Sequence, residues 1–204
     1  MRRFFLPLRV FALLFRMAPP FPAAAMPPSV ALLAIYVGGI LCGLSVDVAV
    51  TLGVAAALVL RATPKLGPVL RRIERISGRK SALISISIVF VLPVAVLLWQ
   101  MDTRWSQHMV TFGPLAVALM RFIDIADSQY TAARMSWPEL ESAWPMLTRT
   151  MFLCALAFAL LNETMLRVAS LEVWIAWVAL MPVLWHYVTS ALTVTVLLDL
   201  DANS

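Results

Sequence analysis

Charge is scarce in this chain: Asp, Glu, Lys and Arg make up 13% of its 204 residues, against 62% hydrophobic ones. So little polar surface cannot cover a water-soluble globule of this size. The mean hydropathy of +0.89 says the same. Lipid must solvate most of the surface. Cysteine is scarcer still: Cys42 and Cys154 stand alone inside apolar runs. That excludes a disulfide framework and a thiolate metal site, and each reads as a small buried apolar side chain. The two histidines, His108 and His186, are far apart, and neither has a Cys or carboxylate at zinc-ligand spacing. Paired carboxylates and a nucleophile with its base are missing too, so neither an enzyme nor a cofactor or metal is expected.

The charge that is present has a sign and a place. The net charge is +5. The basic residues gather beside apolar runs rather than over an aromatic-studded surface, which argues against a nucleic-acid partner. Seven of the sixteen Lys and Arg residues fall between Arg61 and Lys80. Basic loops stay cytoplasmic, so this one orients the chain. Its expected partner is the lipid bilayer with anionic headgroups, which attract Lys and Arg by about 1 kcal/mol each near the surface. At 100° per residue Leu66, Val69, Leu70, Ile73 and Ile76 share one face while Lys65, Arg71, Arg72, Arg75 and Arg79 share the other. A surface helix ending at Gly78 is expected there.

The amino terminus has the outline of a signal peptide, but Arg9 and Pro7 interrupt its apolar stretch. Arg2, Arg9 and Arg16 recur every seven residues and fall on one side of a helix. Residues 1–28 therefore read as an amphipathic, Pro-rich cytoplasmic extension lying at the membrane interface. Prolines 19, 20, 22, 27 and 28 end its helix.

Residues 29–198 read as a single transmembrane helical domain, with 199–204 a short tail that has no Lys or Arg. Ser29 to Leu60 would measure about 48 Å as one helix, too long for a hydrocarbon core of about 30 Å. Gly38, Gly39, Gly43, Ser45 and Asp47 concentrate in its middle. A hairpin of two short helices is favoured over one crossing, because it keeps the amino terminus and the Arg61–Lys80 loop both cytoplasmic. Four further spans follow: Ser81 to Gln100, His108 to Ile123, Met146 to Leu161 and Val173 to Leu198. Trp99 and Trp105 would anchor the interface beside a short Met101–Trp105 connection. Ser136 and Glu139 have capping-box spacing. The expected fold is all-α, a polytopic membrane helix bundle of five to six transmembrane helices with basic amphipathic cytoplasmic segments.

Ionisable side chains at membrane depth are costly, so Arg149, His186 and Asp47 are the first candidate functional positions. His186, Thr189, Ser190 and Thr193 make a polar stripe, which reads either as a pathway lining or as hydrogen bonding between packed helices. Glu163 and Arg167 are spaced to pair on a helix end. Asn162 reads equally as a cap for backbone groups and as a partner-binding residue. The Gly39–Gly43 spacing reads as helix packing.

Trp137-x-x-Leu140-x-x-Ala143-Trp144, then an apolar run closing with Leu161-Asn162-Glu163, then Trp174 and Pro182, resembles the intracellular septation protein A family. The motif covers about sixty residues, and the earlier chain matches by layout. The amino-terminal extension and the Ala176-Trp177 pair depart from the family, so the chain is similar to a divergent member. The resemblance implies a bacterial inner-membrane protein of envelope maintenance and cell division with no assigned reaction, acting through division or elongation proteins. Trp144, Asn162 and Glu163 are the positions it carries over. A small transporter or channel subunit with a polar pathway near His186 and Arg149 is the alternative, motivated by Pro93, Pro114 and Pro182 inside apolar segments. Homo-oligomerisation is compatible with either.

Overall fold

The computed structural model describes residues 26–136, 138 and 141–201. The amphipathic helix read over the amino-terminal extension lies outside the described residues, as do Trp137, Glu139, Leu140 and the last three residues. The described chain is helical, with no strand among the described residues. It runs as α1 (Met26–Leu41), α2 (Val46–Ile86), a π turn (Ser87–Val91), α3 (Leu92–Gln100), α4 (Thr103–Ala126), α5 (Thr131–Ser136), a 3-10 turn (Glu141–Ala143), α6 (Trp144–Val168) and α7 (Leu171–Asp201). Among the described residues four segments are long and apolar enough to cross a membrane: Val46–Thr63, Thr103–Ala126, Glu141–Val168 and Leu171–Val196. Met26–Leu41 is a shorter apolar helix.

The expected hairpin is a helix–turn–helix. Cys42, Gly43, Leu44 and Ser45 separate α1 from α2, with Gly43 at φ 82, a conformation that favours glycine. Ser45 caps α2 by accepting from the Val48 amide at 3.4 Å. Gly39 and Gly43 therefore do different work. A Cβ on Gly39 would stand 3.1 Å from the Ala49 Cβ, so it is Gly39 that lets the arms close, while Gly43 only turns the chain. Gly53 is the second close approach, 3.1 Å from the Leu32 carbonyl oxygen by the same measure.

Three boundaries depart from expectation. Pro27 and Pro28 open α1 rather than end the extension, since a first-turn residue has no intrahelical use for its N–H. The Ser81–Gln100 segment is not one straight span. Pro93 offers no N–H to the carbonyl four residues back and its ring crowds it, and the π turn over Ser87–Val91 lies immediately before. Ser136 closes α5 instead of capping a helix, and α6 starts at Trp144.

The basic segment is no separate surface helix. It continues α2 without a break until Gly78, whose φ of 80 and ψ of 162 lie outside the helical region. Along it Arg61, Arg71, Glu74, Arg79 and Lys80 are exposed and Leu66 and Leu70 half-buried. The side chains of Lys65, Val69, Arg72, Ile73, Arg75 and Ile76 lie outside the described residues.

The helices form two compact units. Among the described residues one comprises 26–110 and 165–182, the other 111–164 and 183–201. In the first, α1 packs on α2 and α3 packs back against α2. Leu32, Val50, Val54, Leu97 and Trp174 are its largest fully buried apolar side chains. In the second, Ala133, Ala143, Trp144, Leu147 and Val196 make a core against which Tyr130 packs. Large apolar side chains elsewhere face outward, Leu41, Trp99 and Val168 most of all. On a water-soluble protein such a surface would aggregate, and in lipid it is the solvated one.

Candidate functional site

The second unit holds a buried polar group between two apolar helices. Asn162 on α6 is fully buried, and its Nδ2 donates to the Thr111 Oγ1 of α4 at 2.8 Å. Thr111, itself buried, donates its one hydroxyl proton to the Glu163 Oε1 at 2.7 Å. A threonine hydroxyl has one proton and two lone pairs, so Thr111 joins the amide to the carboxylate as acceptor and donor at once. Adjacent positions on a helix diverge by 100°, so Asn162 and Glu163 both reach α4 only because Thr111 stands between them.

Asn162 is not a cap, and Glu163 does not mark a helix end. α6 runs on to Val168, so the amide faces sideways into packing rather than down onto the last turn. The Glu163 carboxylate engages Thr111, and Arg167 is exposed. Thr111 carried no signal in the sequence, being the single threonine of the apolar run from His108 to Ile123. Only the tertiary register of α4 against α6 makes it the hub.

Trp144, the third position carried over from the resemblance, opens α6 and is buried in the core of the same unit. The Arg134 guanidinium carbon lies 5.0 Å from the centre of its ring, a cation–π contact that covers its outer face. Farther along α6, Phe158 packs edge-on to Trp185 of α7 with ring centres 5.0 Å apart. Arg121, half-buried near the end of α4, pairs with Asp124 at 3.6 Å.

The remaining candidates do not join this group. Arg149 is exposed on α6. His186 is half-buried, stacks edge-on against Tyr187 with ring centres 5.5 Å apart, and buries its Nε2 with no hydrogen-bond partner among the described residues. The hydroxyls of the stripe beside it bond back to carbonyls of their own helix. Thr189 donates to the Trp185 carbonyl at 2.7 Å, Ser190 to the His186 carbonyl at 2.8 Å and Thr193 to the Thr189 carbonyl at 2.9 Å. Where water is absent the carbonyl one turn back is the nearest acceptor, and it takes the hydroxyl proton.

The first unit has a polar arrangement of its own. Asp47, exposed at the start of α2, accepts from the Thr103 hydroxyl at 2.6 Å and from the Thr103 amide at 3.2 Å. Asp102 caps the same helix, its Oδ1 accepting from the Arg104 and Trp105 amides at 2.7 and 3.1 Å. One turn on, Ser106 gives its proton to the Asp102 carbonyl at 3.0 Å. Thr51 must then be the donor in the buried Thr51–Ser106 bond of 3.0 Å. Asp47 thus works as a tie between two helix ends.

Among the described residues no three His, Cys, Asp or Glu side chains are grouped so as to hold a metal ion. Length, composition and outward-facing apolar surface define the class: a polytopic helical membrane protein. No protein-family model matches the chain, and no match to it is found among the curated proteins or the solved structures.

Proposed function

We infer that this is a non-enzymatic protein of the bacterial inner membrane, akin to the septation protein A family, that serves envelope maintenance and cell division through contacts with membrane partners. The observation that supports it is the Thr111–Asn162–Glu163 group. Asn162 and Glu163 are residues on which the resemblance rests, and they act together as one tie between α4 and α6. A buried tie of this kind sets the register of two helices and so the shape of the face they offer a partner. The amino terminus and the Arg61–Lys80 segment face the cytoplasm in this reading, as the bias of basic residues requires.

Deletion of the gene in its native host tests this. Loss of normal cell length or envelope permeability under osmotic stress is expected, with rescue by the wild-type chain and reduced rescue by Thr111→Val. Unchanged length, permeability and division would remove the reading. A transporter or channel subunit keeps one supporting observation, the buried Nε2 of His186 with no hydrogen-bond partner among the described residues. Flux into reconstituted vesicles that is the same for wild type, His186→Ala and Arg149→Ala would dispose of it.

A further inference from the structure

The two hydrogen bonds between Asp47 and Thr103 close a loop of chain, and closure constrains its shape. From Asp47 to Ser77 the helix rises about 45 Å, and from Arg79 to Thr103 about 36 Å, at 1.5 Å per residue. The step across Gly78 adds at most about 7 Å. With both far ends tied together, these lengths close only if the two arms run back along each other with Gly78 at the apex. Two observations agree: Gly78 is the one residue in α2 with non-helical backbone angles, and α3 packs against α2.

Levels along this hairpin follow. Asp47 and Asp102 mark its polar end, and Thr103 is bonded to Asp47 there. Measured from that end, Arg71 lies about 36 Å up the outgoing arm, and Arg79 and Lys80 about 35 Å up the returning one. A hydrocarbon core is about 30 Å thick and the whole bilayer about 40–45 Å, so a headgroup layer occupies the next 5–7 Å. Arg71, Arg79 and Lys80, which stand far apart along the helix path, thus share the headgroup level. Arg61 sits about 21 Å up, and its long apolar stem lets the guanidinium rise towards the same level. All four are exposed.

We propose that Arg61, Arg71, Arg79 and Lys80, presented from both arms of the Gly78 hairpin, form a binding site for an anionic phospholipid headgroup. The charge complementarity is direct. Guanidinium groups offer paired N–H donors that match phosphate oxygens, and the ammonium of Lys80 adds a point charge. Both arms place these donors at the height of the phosphates, which favours lipid over a soluble acidic partner. The site rests on the membrane reading and not on the septation role.

The test uses the full chain, reconstituted in vesicles of equal phosphatidylglycerol and phosphatidylcholine and then extracted, with the retained lipids counted by native mass spectrometry. Preferential retention of phosphatidylglycerol is expected. It should fall on the order of fivefold per neutralised residue across Arg71→Gln, Arg79→Gln and Lys80→Gln, and survive in Arg71→Lys. A salt titration of the wild type needs no variant: screening must erode the preference. Equal retention of both lipids by the wild type, a preference indifferent to salt, or an unchanged preference in the triple variant would each overturn the site. A division phenotype in the deletion strain is read separately and does not depend on these outcomes.

Discussion

Thr111 accepts from the Asn162 amide at 2.8 Å and donates to the Glu163 carboxylate at 2.7 Å, so two consecutive residues of α6 are held by one hydroxyl of α4. Replacing Thr111 with Val keeps the volume and removes both bonds from α4 to α6. The expected cost is about 1–2 kcal/mol, as for two interhelical hydrogen bonds lost together. Thr111→Ser should lose less than half of that. Reversible unfolding in mixed micelles measures both. Equal stability of Thr111→Val and wild type would mean that the group does not tie the helices.

The α1–α2 contact makes a contrast among glycines. A Cβ at Gly53 would meet a backbone carbonyl at 3.1 Å, which cannot swing away, whereas one at Gly38 would meet nothing within 4 Å. Gly53→Ala should therefore destabilise by about 1–3 kcal/mol, and Gly38→Ala should be neutral or stabilise by up to about 1 kcal/mol through helix propensity. The reverse order in a thermal-aggregation assay in detergent would contradict the close approach.

Asp47 ties the start of α2 to the start of α4 through Thr103. Asp47→Ala should destabilise the start of α4, which loses a side-chain acceptor for the Thr103 amide. The same substitution should raise amide exchange at Thr103, and hydrogen exchange read by mass spectrometry checks it. Unchanged exchange over Met101–Trp105 would show the bond to be incidental.

The hydroxyls of Thr189, Ser190 and Thr193 are occupied by carbonyls of their own helix. Each substitution by Ala should change stability by less than about 0.5 kcal/mol, since back-bonding contributes little to a helix. A loss of 1 kcal/mol or more in any of them, read in the same micelle assay, would mean that the stripe binds another helix after all.

How far these features could be read from sequence follows from which of them are local. The α1–α2 hairpin was legible because a mostly apolar stretch of 32 residues exceeds one crossing and the glycines, Ser45 and Asp47 fall near its middle. The break at Gly78 was legible for the same local reason, and Pro93 marked trouble in Ser81–Gln100 without revealing the π turn. Asn162 and Glu163 stood out as polar residues after an apolar run. Their partner did not, because Thr111 is about fifty residues away and only the packing register selects it. The His186–Thr193 stripe shows its period in the sequence but not where its protons go, because a period of three and four residues is shared by hydroxyls that face a neighbour and hydroxyls that fold back on their own turn, as these do. Gly53 gave no warning either, since a glycine in an apolar helix is a close contact only if something approaches.

The most direct test of the membrane arrangement uses the chain's own thiols. Cys42, expected from its apolar run to be buried, is instead exposed in the α1–α2 turn, while Cys154 is buried as expected and should stay silent. In intact cells a membrane-impermeant maleimide should label the wild type at Cys42, and in a Cys42→Ser background it should leave Arg71→Cys untouched until the membrane is opened. External labelling of Arg71→Cys, or a Cys42 that reacts only after lysis, would contradict a protein that holds its basic hairpin tip on the cytoplasmic face.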